Sequence, residues 1–178
     1  MTLLAACDGK EPVADVEPAA PPTAEELTSS GVTAADIEMS WTGEALQAGL
    51  RASDMISATP SDAGMLIQRI AEGEETTIGV TSGARLFSTL PNAGDTSGVS
   101  LTVEFSARVV DADSGVLRVA YSTNRKGNSG WIAFDLTGEF ATYDFAYTIN
   151  EGEDPNVDVV GFTLDEGTIV EISEVNIR

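Results

Sequence analysis

Histidine is absent from this 178-residue chain, and cysteine occurs once, at Cys7. Without histidine the chain lacks the commonest general base, the serine–histidine and cysteine–histidine catalytic pairs, and a frequent ligand of zinc and iron. A lone cysteine excludes an intramolecular disulfide. These absences argue against an enzyme, and in particular against the common hydrolases. Paired carboxylates could still serve a glycosidase, but nothing singles out two of the 29 acidic residues for that role.

Basic residues are also scarce, since 9 Lys and Arg stand against 29 Asp and Glu and the formal net charge is −20 at pH 7. A field of this sign repels phosphate backbones and acidic polysaccharides, which makes nucleic acid a poor partner. Acidity of this kind is typical of a well-solvated surface. The alternative is a carboxylate cluster that holds a hard cation such as calcium.

The amino terminus predicts a lipid anchor. The segment LAAC, which ends at Cys7, has an aliphatic residue and two small residues before the cysteine and resembles a bacterial lipobox. The resemblance implies a lipoprotein whose Cys7 is acylated through sulfur and becomes the first residue after cleavage of a signal peptide. Because the apolar segment before Cys7 is too short for such a peptide, we expect a longer apolar stretch to precede Met1 in the gene. The alternative is a chance LAAC in an ordinary protein.

Residues 8–35 are rich in Pro, Ala and acid, with little to bury, and predict a flexible, solvated tether. The chain is thus divided into residues 1–7 as the remnant of the signal and lipobox, 8–35 as a disordered linker, and 36–178 as a globular domain. This organisation predicts an envelope protein anchored by lipid, facing either the periplasm or the cell surface. Asp8 does not decide between the inner and the outer membrane.

Residues 36–178 consist of short runs in which apolar and polar residues alternate, with turn signals between them. In 99–110, for example, every second residue from Val99 to Val109 is apolar, the pattern of a half-buried strand. Strands are predicted at 36–41, 64–71, 75–81, 84–89, 99–110, 116–124, 131–137, 140–149, 157–164 and 168–177. Residues 43–59 predict either a short helix or a loop with a brief strand. So many short strands without a long helix predict an all-β, antiparallel sandwich.

Four stretches within residues 64–178 resemble the jelly-roll carbohydrate-binding modules of the galactose-binding-like group. They are GVSLTVEFSARVV, GVLRVAYS, GWIAFDLTGEFATYDFAYTI and TIVEISEVNIR. The chain departs from the pattern at Ser173 and Phe140, where that family often has Asp and Trp. The resemblance implies a jelly-roll sandwich that binds sugar without catalysis, although many relatives serve only in packing or assembly.

Strand parity predicts which side chains of 116–124 and 131–137 face solvent. Apolar residues alternate in both strands, so the residues between them point away from the core. An indole face stacks on the C–H groups of a sugar, while a carboxylate and a guanidinium bond its hydroxyls. The predicted ligand-binding residues are Trp131, Arg118, Asp135, Ser122, Asn124 and Asn128. The alternative is a strand-end tryptophan that covers the core edge beside an Arg118–Asp135 cross-strand pair.

Other aromatic and charged residues have structural predictions. Tyr143, Phe145, Tyr147 and Trp41 are in phase with core positions of their strands. Surface pairs with acids are predicted for Arg69, Arg85 and Arg108. A structural calcium site near the ends of the first and last strands is predicted from Glu38, Glu171 and Glu174, with Asp62 as a further candidate.

Two functions are consistent with these observations. The first is a lipid-anchored, non-catalytic envelope protein whose sandwich binds a glycan through an exposed aromatic and charged face. The second is an assembly module that docks another envelope protein and binds no sugar. A groove with Trp131 at its floor would favour the first, and a contiguous apolar surface would favour the second.

Overall fold

The computed structural model describes residues 38–72, 83–88, 96–123, 126–152 and 158–178. These segments contain one helix, α1 (Gly43–Gly49), and ten strands. The strands are β1 (Met39–Thr42), β2 (Ile56–Pro60), β3 (Met65–Arg69), β4 (Ala84–Ser88), β5 (Ser100–Val110), β6 (Ser114–Ser122), β7 (Ile132–Thr137), β8 (Ala141–Thr148), β9 (Asp158–Leu164) and β10 (Ile169–Ile177). The lipobox, the tether and the predicted strand at 75–81 lie outside the described residues. Within them, no helix has the length and apolar character needed to cross a membrane.

The strands form two antiparallel sheets that face each other. In the larger sheet the order is β2-β3-β10-β5-β8, and β1 pairs with β10 beyond the end of β3. In the smaller sheet the order is β4-β9-β6-β7. The orders 3-10-5-8 and 4-9-6-7 are those of a jelly roll, in which the chain passes repeatedly between two sheets. The predicted all-β, antiparallel jelly-roll sandwich is confirmed.

Strand β5 shows why the alternating sequence produces this architecture. Its residues Leu101, Val103, Phe105, Ala107 and Val109 are buried, whereas the residues between them are only half-buried. Successive side chains of a strand point to opposite faces, so one face of β5 contributes to the core and the other faces outward. The parity predicted for this strand is confirmed.

An aromatic cluster holds the two sheets together around Phe105. Its ring meets Phe134 edge-on at 5.0 Å and Phe162 edge-on at 6.4 Å, and it stacks on Tyr143 at 5.5 Å between centroids. Such offset and edge-to-face contacts contribute about 0.5–1.5 kcal/mol each beyond the burial of apolar area. The predicted core positions of Phe145, Tyr143, Tyr147 and Trp41 are confirmed, since Phe145 is buried and the other three pack against the core.

Residues 43–59 contain both of the alternatives predicted for them, a short helix and then a brief strand, β2. Leu46 anchors α1 in the core. Gly49 lies where α1 approaches the sandwich closely, so a side chain there would require its neighbours to shift slightly. A Cβ atom there would lie 3.1 Å from Leu86 Cδ2 and 3.3 Å from Trp41 Cδ1. The close approach brings α1 against the sandwich despite the low helix propensity of glycine.

Candidate functional site

The outer face of the smaller sheet, on the side away from the core, carries Trp131. Strands β6 and β7 are neighbours, as predicted, with Val119 opposite Ile132. Continuing that register places Trp131, directly before β7, opposite Ala120. Trp131 is half-buried, and its Nε1 atom has no accessible surface and no hydrogen-bond partner in the structure. The N–H edge of the indole is therefore buried against protein, and alternation with Ile132 and Phe134, which pack on the core, puts Trp131 on the opposite side of the sheet.

Arg118 and Asp135 also lie on this face, but they do not pair with each other. The Arg118 Nη1 atom donates to Asp165 Oδ1 at 2.6 Å, in the turn between β9 and β10. Asp135 stands opposite Val116 and is exposed. The Arg118–Asp135 cross-strand pair, one of the two sequence-based alternatives, is thus wrong. The guanidinium is oriented by Asp165, and Asp135 is accessible at the far end of the same face.

Ser122 does not reach solvent, which corrects the prediction that it contacts a ligand. It lies on the outward side of β6 as expected, but only 2% of its surface is exposed. The loop after β6 folds back over it, because Asn128 forms a bridge with Ser122 and the Ser129 N–H donates to the Tyr121 carbonyl at 2.9 Å. Asn128 itself is exposed, and its Oδ1 atom accepts from the Gly130 N–H at 3.0 Å. Asn124 lies outside the described residues.

A buried polar group holds that loop in place. Lys126 and Thr96 are each 2% exposed, and the Lys126 Nζ atom donates to Thr96 Oγ1 at 3.2 Å. Burial raises the pKa of the nearby Tyr147 hydroxyl, the Thr123 hydroxyl opposes this increase, and the Asp158 charge adds to it. The hydrogen bonds of Lys126 and Ser129 hold the described part of this loop, residues 126–130, against the sandwich near Trp131.

The centre of this outer face is covered rather than open. Ala120 and Val159 are fully or almost fully buried, yet neither belongs to the core cluster between the sheets. Thr163, also outward on β9, accepts a hydrogen bond from Arg69 at 3.4 Å, and the same Nη1 atom reaches the Leu164 carbonyl at 2.9 Å. Because the residues at the centre of this outer face are buried, its accessible side chains lie toward the edges of the sheet.

Sequence reasoning overlooked Phe87, which lies at the opposite margin on β4. It is 43% exposed, and the guanidinium carbon of Arg85 lies 5.9 Å from the centre of its ring. Arg85 was predicted to pair with an acid, but it donates to the Ala52 carbonyl at 3.0 Å. The alternation of 84–88 could have revealed this arrangement, because Ala84 and Leu86 are buried and so direct Arg85 and Phe87 outward.

The three carboxylates predicted to bind calcium are held apart. Glu171 is buried on β10 and accepts from Arg108 Nε at 2.8 Å, while Glu174 accepts from Asn176 at 2.9 Å. Glu38 lies just before β1 and is exposed, as is Asp62. In the segments that the structure describes, no three His, Cys, Asp or Glu side chains are placed to hold a metal ion. The predicted calcium site therefore has no support.

Glu171 has a structural role on the outer face of the larger sheet. Burial alone would raise the pKa of its carboxyl, but hydrogen bonds from Ser61 and Arg108 and the charge of Arg108 outweigh that effect and hold the pKa below its ordinary value. The Arg108 Nη2 atom lies 2.6 Å from the same carboxylate oxygen. This pair ties β5 to β10 and to the turn between β2 and β3, and the acid pairing predicted for Arg108 is confirmed.

Comparison with solved structures identifies the same fold in carbohydrate-binding modules. The CBM22-1 xylan-binding domain from Paenibacillus barcinonensis Xyn10C is similar with a TM-score of 0.53 and 13% identity, over 79% of this chain and 92% of that one. The apo CBM1 of BiXyn10A is similar with a TM-score of 0.51 and 18% identity, over 80% and 96% of the two chains. No protein-family model matches the sequence, and no curated protein matches it. At these identities the likeness establishes the jelly-roll sandwich and nothing finer.

Proposed function

We propose that this protein is a lipid-anchored, non-catalytic envelope protein whose sandwich binds carbohydrate on the outer face of the smaller sheet. The observation that carries the proposal is the position of Trp131, half-buried directly before β7 and opposite the small residue Ala120 when the β6–β7 register is continued. A similar fold occurs in a domain described as xylan-binding. That likeness supports the class of ligand, and Trp131 supports the site.

The surroundings of Trp131 suit a sugar ring. Ala120 has only a methyl group, so an indole can lie close to the sheet and present its outer surface to solvent. Aromatic surfaces of this kind supply a large, rigid apolar contact. Arg118, oriented by Asp165, can donate to hydroxyl oxygens, and the exposed Asp135 carboxylate can accept from hydroxyl groups. The net charge of −20 disfavours acidic polysaccharides, so the expected ligand is a neutral glycan.

The anchor would keep the domain at the envelope while it samples glycan. Two or three acyl chains on Cys7 would bind a membrane stably, whereas a single chain is marginal. As a flexible coil, residues 8–35 would span about 30 Å on average. In cells expressing the full gene, Cys7→Ser should abolish labelling by a fatty-acid analogue and release the protein from the membrane fraction. Labelling that survives this change would overturn the anchor without affecting the sugar site.

Affinity electrophoresis on neutral glycans, chosen by a glycan array, tests the sugar site. Trp131→Ala should reduce retention at least tenfold. Because the indole lies outside the core between the sheets, the variant should be folded at the assay temperature, which a melting curve verifies. Ile70→Ala is the matched control, since Ile70 is an apolar side chain that is 60% exposed. Unchanged retention of Trp131→Ala would overturn the site. A wild-type protein that binds no neutral glycan would overturn carbohydrate binding and favour an assembly module.

A further inference from the structure

A second concave feature lies at the other end of the sandwich. A cleft of about 440 Å³ opens where β5 turns into β6, and we call it the hairpin cleft. It is lined by Arg108, Val109, Val110, Asp111, Ala112, Asp113 and Gly138. Gly138 follows the end of β7 that is remote from Trp131, and an extended strand from Trp131 to Gly138 spans about 23 Å. The hairpin cleft is therefore separate from the site proposed above.

Arg108 is a fixed hydrogen-bond donor in this cleft. Its Nε and Nη2 atoms both contact one oxygen of the buried Glu171, at 2.8 and 2.6 Å. On another side, the ring centre of Phe140 lies 4.7 Å from the guanidinium carbon. The Nη1 atom makes no hydrogen bond to the described residues and remains available. A donor immobilised before binding loses little entropy when a ligand arrives.

The other polar groups of the cleft are hydrogen-bond acceptors. Asp111 and Asp113 are exposed carboxylates on the tight turn between β5 and β6. Phe140, which is 38% exposed, is not part of the cleft lining and contacts the guanidinium from another side. One donor and two acceptors around a cleft of this size match the needs of a small polar ligand with several hydroxyl groups.

Charge narrows the ligand class. Two carboxylates disfavour an anion, and the guanidinium, whose charge is compensated by Glu171, adds a hydrogen-bond donor rather than a net positive charge. A metal ion is also a poor candidate, because no third His, Cys, Asp or Glu joins Asp111 and Asp113 in the described part of the chain. We propose that the hairpin cleft is a second carbohydrate-binding site, selective for neutral saccharides. The choice of saccharides as the ligand class rests on the proposed function, but the cleft does not require Trp131.

Two separated sites would let one molecule hold two glycan segments at once. When both sites are engaged, the second contact is intramolecular, and avidity can exceed the affinity of either site alone. A tethered domain with one weak site at each end would therefore retain a polysaccharide better than a short oligosaccharide.

Gly138 provides a way to obstruct the cleft without disturbing the core. Its backbone is not left-handed, and a Cβ atom there would meet only the Ala112 carbonyl oxygen, at 3.6 Å. Gly138→Leu should therefore place its side chain against the β5–β6 turn and obstruct the part of the cleft next to Gly138. Gly138→Ala adds one methyl group and leaves most of the cleft open. Ala146→Leu, at an exposed position of β8, is the matched control for an added surface leucine.

The test is an amide NMR titration of the full chain with a neutral xylo-oligosaccharide and a neutral gluco-oligosaccharide. We expect one of them to shift the amides of residues 108–113 and 138 in the wild type and in Trp131→Ala. Gly138→Leu should weaken that response at least tenfold and leave the shifts of 118–120 and 131–135 unchanged, whereas Gly138→Ala and Ala146→Leu should keep both. The free spectrum of each variant verifies its fold.

The outcomes separate the two proposals. Shifts around Trp131 without shifts at 108–113 would overturn the hairpin cleft and leave the proposed function intact. Shifts at 108–113 without any around Trp131 would support the cleft and overturn the Trp131 site. The absence of shifts at both places would overturn both, and a Gly138→Leu protein that still shows the cleft response would overturn the cleft.

Discussion

The outer faces of the two sheets share one pattern of alternation and differ in what reaches solvent. On the larger sheet, the outward residues of β8, such as Thr142 and Asp144, are exposed and polar. On the smaller sheet, the outward residues of β9, Val159 and Thr163, are buried. Parity decides only which face a side chain occupies, whereas neighbouring loops and side chains decide whether that face is open. Along β9 the outer face of the smaller sheet is thus covered, whereas along β8 the outer face of the larger sheet is open to solvent.

An arginine–carboxylate pair on each face, Arg108–Glu171 on the larger sheet and Arg118–Asp165 on the smaller, can be compared, and these two pairs differ in burial. The Glu171 side chain of the Arg108 pair is 6% exposed, whereas the Asp165 side chain of the Arg118 pair is 54% exposed. A carboxylate removed from water depends on its partner, while an exposed one can exchange that partner for solvent. The first pair should stabilise the fold, and the second should serve mainly to orient Arg118.

The comparison predicts unequal responses to the same change on the two faces. Ala120→Leu should lower the free energy of unfolding by about 1–3 kcal/mol, because a larger side chain must fit where no space remains. Ala146→Leu, on the exposed face of β8, should change it by no more than about 0.5 kcal/mol. Urea denaturation of both variants measures the difference. Equal effects would show that the outer face of the smaller sheet is open.

The two ion pairs predict a second inequality. Glu171→Gln should lower the free energy of unfolding by about 1–3 kcal/mol, because a charge-assisted hydrogen bond in a buried place is replaced by a weaker one. Asp165→Asn should cost no more than about 1 kcal/mol, as is usual for an exposed pair. Denaturation at pH 7 in low and high salt compares them. A larger loss for Asp165→Asn would contradict the burial argument.

Acid should remove the contribution of Glu171. Because its pKa is lower in the folded protein, the stabilisation is fully present above the unfolded-state pKa of about 4.3 and is lost as the pH falls through the lowered folded value. The difference in unfolding free energy between wild type and Glu171→Gln should therefore be largest near neutral pH and shrink below about pH 4. Measuring this difference, rather than wild-type stability alone, cancels the effect of the other acids. If this difference in unfolding free energy instead increased as the pH falls, the pKa of Glu171 would be raised by folding and not lowered.

The sequence predicted the side chains that the strands direct outward better than it predicted their neighbours. Alternation was enough to place Trp131, Arg118 and Asp135 outside the core, because it follows from backbone geometry alone. It could not show that the loop after β6 would cover Ser122, or that Arg118 would pair with Asp165. Those contacts depend on how loops fold over the finished sheet.

The calcium prediction failed for a related reason. Glu38 and Glu174 are close to the ends of the first and last strands, which suggested that they meet. The register instead places Glu174 opposite Thr42, and from Thr42 back to Glu38 the chain extends about 13 Å. Glu171, in turn, forms an ion pair with Arg108. Antiparallel pairing brought the right strands together, but register separated the carboxylates, and register cannot be deduced from the composition of strand ends.

The smallest expected difference concerns two exposed phenylalanines, one on each face. A guanidinium carbon lies 4.7 Å from the ring centre of Phe140 on the larger sheet, and 5.9 Å from that of Phe87 on the smaller sheet. Exposed cation–π contacts contribute about 0.5–1 kcal/mol and fade near 6 Å. Double-mutant cycles that combine each Phe→Ala change with Arg→Met should therefore give a coupling of about 0.5–1 kcal/mol for Phe140 with Arg108 and a smaller one for Phe87 with Arg85. Because both rings are similarly exposed, a larger coupling for Phe87 would show that the smaller sheet's margin is more rigid than its geometry indicates.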